Sequence, residues 1–300
     1  MTQDQILEKL VVDIQLRGLS HDTQREYCYK AKTFMQHFGK PATELGEQDI
    51  RDYLYYLTTV KKLSPSSVNT INSGLRFLYE VTLEQNLNYK RIPRLKEKIL
   101  LPNIMTMEEI KRFIDVIDNL KHKAIFMTVY GSGLRLGEIR RLKSSDVDSK
   151  AMRLFISQGK GKKDRYAVLS QASLDALREY WKKYKPRHPD GYLFLNREGT
   201  AYMTDRAIQD AFMKYHKKAG IAHHATVHTL RHSYATHLLE AGTSIFFIRQ
   251  LLGHSTLSTT TRYLHVAQTD VLKTPSPLDA MNAPSKKKCG RPRKQVTANG

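Results

Sequence analysis

Residues 88–102, NYKRIPRLKEKILLP, interrupt an otherwise periodic chain. Pro93 and Pro102 each lack a backbone donor and push the preceding residue toward extended backbone. Lys90, Arg91, Arg94, Lys96 and Lys98 crowd positive charge onto the same stretch. It reads as a basic, extended connection, so the segments on either side are read as separate cores. A length of 300 residues agrees with two domains, and a hydrophobic fraction of 40% is enough to fill them.

Before the break the pattern is helical throughout. Leu7, Leu10, Val11 and Ile14 recur at helical spacing, and a second helix is expected from about Asp22 or Thr23 to a stop at Gly39. A third runs from about Glu47 to Leu57 with Ile50, Leu54 and Leu57 on one face. Ser64 then caps a helix with Pro65 at its first position, carrying Val68, Ile71, Leu75, Leu78 and Tyr79. After the break, Thr106 and Glu109 make a capping box, with Met105 and Ile110 placed as a hydrophobic staple. Helices continue to about Leu142, interrupted at Gly131-Ser132-Gly133. The period then changes: 152–157 and 164–169 read as two short strands around a GKGKK turn. Helices return at about 171–184, 204–219, 227–241 and 244–252. The expected class is mainly α, α+β: a helical N-terminal domain and a mixed domain with a small β-sheet. From Ser276 onward, large apolar side chains are too sparse to bury a core.

Lys and Arg number 49 against 29 Asp and Glu, a formal net charge of +20. A field of that sign favours polyanions, with nucleic acid first among them; a merely solubilising surface is the plainer alternative. No apolar run approaches the ~18 residues of a membrane span. Cys28 and Cys289 are too few for a disulfide framework, and the acidic N-terminus lacks signal-peptide features. The expected location is therefore the cytoplasm; association with a bacterial nucleoid is a further expectation that goes with a nucleic-acid partner. Lys90, Arg91 and Arg94 are read either as a strap on a DNA backbone or as a solvated linker. Arg291 and Arg293, within KKKCGRPRKQ, suit an A·T-rich minor groove or form a nonspecific basic tail.

Chemistry concentrates at six positions spread over half the chain: Arg135, Lys160, His228, Arg231, His254 and Tyr263. His228 and Arg231 share a helix face, Arg135 follows a glycine-broken turn, and His254 lies just past a helix stop with Ser255 as the next N-cap. Two guanidiniums, an ammonium and two imidazoles can surround a phosphate, and a tyrosine hydroxyl can attack it. No cofactor or metal is expected, because His223, His224, His228 and His232 lack an HExxH frame and a nearby cysteine.

GLRLGE, GKGKKDR, HTLRH, LLGHS and TTTRYLHV occur in order across the chain. On these motifs the chain resembles the tyrosine recombinases of the phage-integrase superfamily, in their Xer-like and integron-integrase-like branch. The resemblance implies a SAM-like core-binding domain at 1–90 and a catalytic domain at 103–270; composition reads 91–102 as a basic linker and 271–300 as a flexible basic tail. It implies a site-specific recombinase that needs neither metal nor ATP and exchanges strands through a 3′-phosphotyrosyl intermediate and a Holliday junction. The implied partner is double-stranded DNA with specific recombination sites, clamped between the two domains and bound by a homotetramer on two duplexes.

In that scheme Tyr263 attacks, Arg135, Arg231 and His254 hold the transition state, His228 is base or positioning partner, and Lys160 protonates the leaving oxygen. Lys162 and Lys163 are alternatives for the acid on the same turn and otherwise touch DNA. Glu138 orients Arg135 or is a surface partner, and Arg262 touches DNA or is solvated. His232 and His237 are read as packing or hydrogen-bonded residues, and Tyr130 and Tyr234 as core aromatics. The helix after the nucleophile, which docks onto a neighbour in many members, is short here, with Pro275 and Pro277 soon after. A mobile-element origin is favoured; the rivals are topoisomerase IB-like relaxation and an idle DNA-binding regulator.

Overall fold

Hydroxyl side chains set most helix starts. Thr2, Ser20, Ser64, Thr106, Ser170 and Thr204 each accept a first-turn backbone N–H, a cap worth about 1 kcal/mol. The computed structural model describes residues 1–88, 90–97, 102–157, 164–254 and 256–264. The chain divides into two compact units, Met1–Leu100 and Leu101–Gly300. The architecture is mainly helical with one small sheet, as the sequence pattern leads one to expect. Among the described residues no helix is long and apolar enough to cross a membrane.

The first unit comprises α1 (Gln3–Leu16), α2 (His21–Phe38), α3 (Glu47–Thr59) and α4 (Pro65–Phe77), with a π-helical turn at Leu78–Thr82. The buried face of α1 is Ile6, Leu10 and Ile14. Leu7 and Val11 are only half-buried, because the inward row follows i, i+4 and rotates them to its edge. Phe34 meets Tyr53 and Tyr79 edge-on in the core. The Tyr79 hydroxyl donates to the carbonyls of Ala42 and Leu45, closing the loop between α2 and α3.

Residues 91–97, expected as a linker, pack on α4 instead. Ile92 is fully buried, Asn69 exchanges hydrogen bonds with the Leu95 backbone, and Arg76 Nη2 donates to the Ile92 carbonyl. Lys90, Arg91 and Arg94 stay exposed on this segment. Arg91 lies 3.6 Å from Glu47, and Arg94 donates to Ser73 Oγ at 2.6 Å.

The second unit opens with α5 (Met107–Asp115), α6 (Leu120–Ser132) and α7 (Leu136–Arg140). Gly131 lies inside α6 rather than breaking it; a Cβ there would come within 2.6 Å of Ser173 Oγ. The stop is Gly133, at φ 61°, where a side chain would strike the Tyr234 ring. The sheet is β1 (Val147–Asp148), β2 (Arg153–Ile156) and β3 (Arg165–Val168), antiparallel in that order. β1 was not expected; two residues carry no readable period. The β2–β3 register pairs Arg153 with Val168 and Ile156 with Arg165. There follow α8 (Gln171–Tyr184), α9 (Asp205–Lys218), α10 (Val227–Glu240), α11 (Ile245–Leu252) and α12 (Ser258–Thr261).

Helix α6 is the unit's central rod, packed against α8 and α10. Ala124, Ile125, Phe126 and Val129 are all buried, as a rod contacted from several sides requires. A smaller cluster, Tyr234, Ala235, Leu239, Ile248, Leu252 and Tyr263, joins α10, α11 and the segment after α12. α6, α7, β3, α10 and α11 thereby bring their functional ends together.

Candidate active site

Helix ends do the positioning. Arg135 occupies the N-cap position of α7, directly after the Gly133 stop and Leu134. Its backbone N–H donates to Glu138 Oε2 at 2.8 Å, its Nη1 to Oε1 at 2.7 Å, and its Nη2 to the Gly253 carbonyl at 3.2 Å. Glu138 is buried, at 7% exposure, which excludes the surface-partner reading. It also receives a bidentate pair from Arg165 on β3, at 2.8 and 2.9 Å. Arg165 Nε donates to the Leu251 carbonyl at 3.0 Å, and the side chain lies so close over Gly253 that a Cβ there would clash.

Arg231, on α10, is 3% exposed. Its guanidinium donates to the carbonyls of Gly133 at 2.5 Å and Leu252 at 2.7 Å, with Glu138 Oε2 at 3.7 Å. The carbonyls at the ends of α6 and α11 thus accept from arginines, the favourable sign for cations at helix C-termini. Burial would raise the Glu138 pKa, but Arg165, the Arg135 backbone N–H and Arg231 outweigh it and bring it to about 2. Burial, followed by the Arg135 charge, pushes Arg231 down to about 9, so it stays charged at neutral pH. Three guanidiniums around one carboxylate leave two uncompensated positive charges. Such a cage suits a phosphoryl group.

His254 follows the Gly253 stop of α11. Its Nε2 lies 3.1 Å from Arg231 Nη2 and accepts from it, while Nδ1 lies 2.9 Å from Thr260 Oγ1. Burial, then the Arg231 and Arg135 charges, lowers its pKa to about 3, so the ring is neutral. The Tyr263 ring stacks on His254 at 6.4 Å between centroids and is 3% exposed. Burial raises the Tyr263 pKa despite the opposing charges of Arg231, Arg135 and Arg262.

The Tyr263 hydroxyl sits 3.0 Å from Nδ1 of His232. His228, one turn earlier on α10, is exposed. Its pKa is lowered by partial desolvation of the ring, then by Arg231 and Arg135.

The fold therefore brings Arg135, Arg231, His254 and Tyr263 into one contact network, with His228 at its open side. Lys160, Lys162, Lys163, Arg291, Arg293 and the Ser255 cap lie outside the described residues. Arg262 is exposed and acts on Tyr263 and His232 only as a nearby charge. His237 accepts or donates at 3.0 Å from the Tyr130 hydroxyl, and Tyr234 is buried, in line with the bland reading of each. Two members were missed in the sequence, Arg165 and the contact between His232 and Tyr263. The available signals were the arginine closing GKGKKDR and the histidine adjoining Arg231.

Comparison with known proteins bears on the whole chain. Residues 103–270 match the Phage integrase family, and residues 6–89 match the phage integrase N-terminal SAM-like domain. A putative integrase/recombinase of Sinorhizobium fredii is 38% identical over 279 residues, covering 93% of this chain and 90% of that protein. Tyrosine recombinase XerA of Pyrococcus horikoshii is 34% identical over 266 residues, covering 87% of this chain and 89% of its own. In fold, the chain is similar to XerH site-specific recombinase bound to difH substrate. The TM-score is 0.68 at 22% identity, covering 88% of this chain and 82% of that one.

Proposed function

Because the chain belongs to the phage integrase family of tyrosine recombinases, we propose that Tyr263 is the residue that attacks DNA and becomes covalently joined to it. The protein is a site-specific recombinase that cleaves and rejoins DNA. The observation carrying the assignment is the charge count around Glu138: three arginines on one carboxylate, with Tyr263 stacked on the histidine that touches Arg231.

Attack by the Tyr263 oxygen forms a pentacoordinate phosphorus and places more negative charge on the nonbridging oxygens. Arg135 and Arg231 receive that charge in preorganised positions, the arrangement that supplies the largest share of many rate enhancements. His254 serves as a further donor in its other neutral tautomer, with the proton on Nε2 facing the phosphate and Nδ1 accepting from Thr260 Oγ1–H; the 2.9 Å contact serves either direction. His228 assists from the open side. Lys160 hands a proton to the departing 5′ oxygen. The product is a 3′-phosphotyrosine with a free 5′-hydroxyl, which conserves the bond energy and removes any need for ATP or metal. A homotetramer on two duplexes exchanges strands in two steps through a Holliday junction, on DNA sites carried by a mobile element. Lys90, Arg91, Arg94, Lys162, Lys163 and Arg262, with Arg291 and Arg293 of the tail, grip the DNA backbone and grooves.

A nicked suicide substrate, labelled on the cleaved strand and incubated in EDTA without ATP, tests this. The expected result is a covalent adduct on the 3′ side of the break, absent from Tyr263→Phe. Adduct formation by Tyr263→Phe, attachment to the 5′ side, or a requirement for divalent metal overturns it.

A further inference from the structure

We propose that His232 takes the proton from the Tyr263 hydroxyl as that oxygen attacks phosphorus, with His228 left to face the phosphate. The inference rests on Tyr263 being the nucleophile. Its geometric basis is the 3.0 Å contact between His232 Nδ1 and Tyr263 Oη, the hydrogen-bond distance a general base requires. Tyr263 is 3% exposed, so a base for its proton has to be inside the site already. His232 is half-buried on α10 and aimed at the hydroxyl, whereas His228 is exposed.

The ring is kept in the accepting form. Burial, then His228, Arg231 and Arg262, lowers the His232 pKa to about 4. These neighbours come from α10 itself and from the segment after α12; His254, also facing it, is neutral near pH 7. An imidazole this reluctant is a weak base in the DNA-free protein. The substrate lessens that obstacle. A phosphodiester brings one negative charge, and the pentacoordinate transition state carries a second, against the two uncompensated positive charges of the arginine cage. The charges of Arg231 and Arg262 that add to the effect of burial are offset as the new bond forms, so the ring's basicity rises during attack.

The step balances. The Tyr263 Oη–P bond forms and the P–O5′ bond breaks. The hydroxyl proton moves to His232 Nδ1, and the 5′ oxygen leaves with a proton from the acid assigned above. Religation reverses each transfer, and Nδ1–H returns its proton to the tyrosine oxygen. The stacking of Tyr263 on His254 keeps the ring plane fixed while the hydroxyl changes partner.

Single-turnover adduct formation on the nicked substrate, from about pH 4 to about 9, decides the matter. His232→Asn keeps an acceptor but cannot hold the proton; it is expected to bind DNA as wild type does and to cleave ~10²–10⁴-fold more slowly. The acidic limb of the pH profile is expected to vanish in this variant and to persist in His228→Asn. Imidazole should restore part of the rate of His232→Ala. A 5′-phosphorothiolate substrate, whose sulfur leaves without a general acid, should leave His232→Asn slow. Wild-type cleavage by His232→Asn overturns the proposal. So does a slow rate with the acidic limb intact and no imidazole rescue, the signature of a ring that only packs. An adduct formed by Tyr263→Phe would instead overturn the assignment of the nucleophile.

Discussion

Arg231 has its guanidinium held by the carbonyls of Gly133 and Leu252 and by His254 Nε2, with Glu138 beside it. Tyr263, in the same site, places its hydroxyl on a single ring nitrogen, that of His232. The arginine side is built from helix ends whose carbonyls are already committed, and it is cross-tied by a buried carboxylate. The tyrosine side hangs from the four-residue helix α12 and a small apolar cluster. The arginine cage is thus preformed at the cost of fold stability, since three like charges are gathered around one carboxylate. The Tyr263 side rests on that smaller cluster and one side-chain hydrogen bond, so polar substitutions there should cost the fold less. Substitutions on the two sides should therefore separate stability from rate.

Glu138→Ala is the most damaging test of that separation. It removes the anion that Arg135, Arg165 and Arg231 share among the described residues, leaving buried Arg231 and half-buried Arg135 and Arg165 uncompensated. Breaking a buried ion pair from one side costs ~3–5 kcal/mol, and chemical denaturation should show a loss of that size. DNA cleavage is expected to fall with it, because Arg135 loses both of its contacts to the carboxylate. A variant as stable as wild type would show that the carbonyls of Gly133, Leu251, Leu252 and Gly253 suffice to hold the cage.

Acid separates the two sides by pH window. His232 and His254 have folded pKa values of about 4 and about 3, below the ordinary 6.5. The unfolded chain therefore binds their protons first. The stability they contribute is complete above pH 6.5 and drains as pH falls toward those values. Glu138 has a folded pKa of about 2 against an ordinary 4.5, so the cage's share is complete above 4.5 and drains only below it. Urea midpoints measured across acid pH should decline first from the histidine side. The double variant His232→Asn/His254→Gln should make the upper part of the decline shallower, with His122, His216, His228 and His237 supplying what remains, and should leave the lower part. An unchanged upper slope would remove these two rings as its source.

The cage also marks where sequence reading stops. Arg135, His228, Arg231, His254 and Tyr263 were legible because each lies in a short motif whose order along the chain is distinctive. Helix boundaries were legible where a hydroxyl cap or a glycine stop punctuates them, as at Ser64, Thr106, Gly39 and Gly253. Glu138 was half legible: its spacing from Arg135 is local, but its burial depends on Arg165, 27 residues on in β3. Arg165 itself closes the lysine-rich sequence GKGKKDR and is indistinguishable there from a solvated charge. His232 adjoins Arg231, so helical spacing points the two in different directions, and only the return of the chain at Tyr263 gives the ring its partner. The two-residue β1 and the π-helical turn at Leu78–Thr82 are set by packing and leave no period to read.

Tyr263→Phe is the smallest expected effect on the fold and the sharpest on the comparison. It removes one hydroxyl from a side chain 3% exposed, keeps the ring stacked on His254, and leaves His232 Nδ1 without its partner. A net hydrogen bond is worth about 0.5–1.5 kcal/mol, and His232 is half-buried, so water can replace the lost partner in part. The destabilisation should fall at the low end of that range, several-fold below that of Glu138→Ala, while covalent adduct disappears. The His254 ring should keep its Arg231 and Thr260 contacts, which nitrogen-resolved NMR of the imidazoles would register as unchanged shifts for His254 and moved shifts for His232. A loss of stability as large as that of Glu138→Ala would mean that the Tyr263–His232 contact holds the fold as firmly as the cage does, and the division between the two sides would fail.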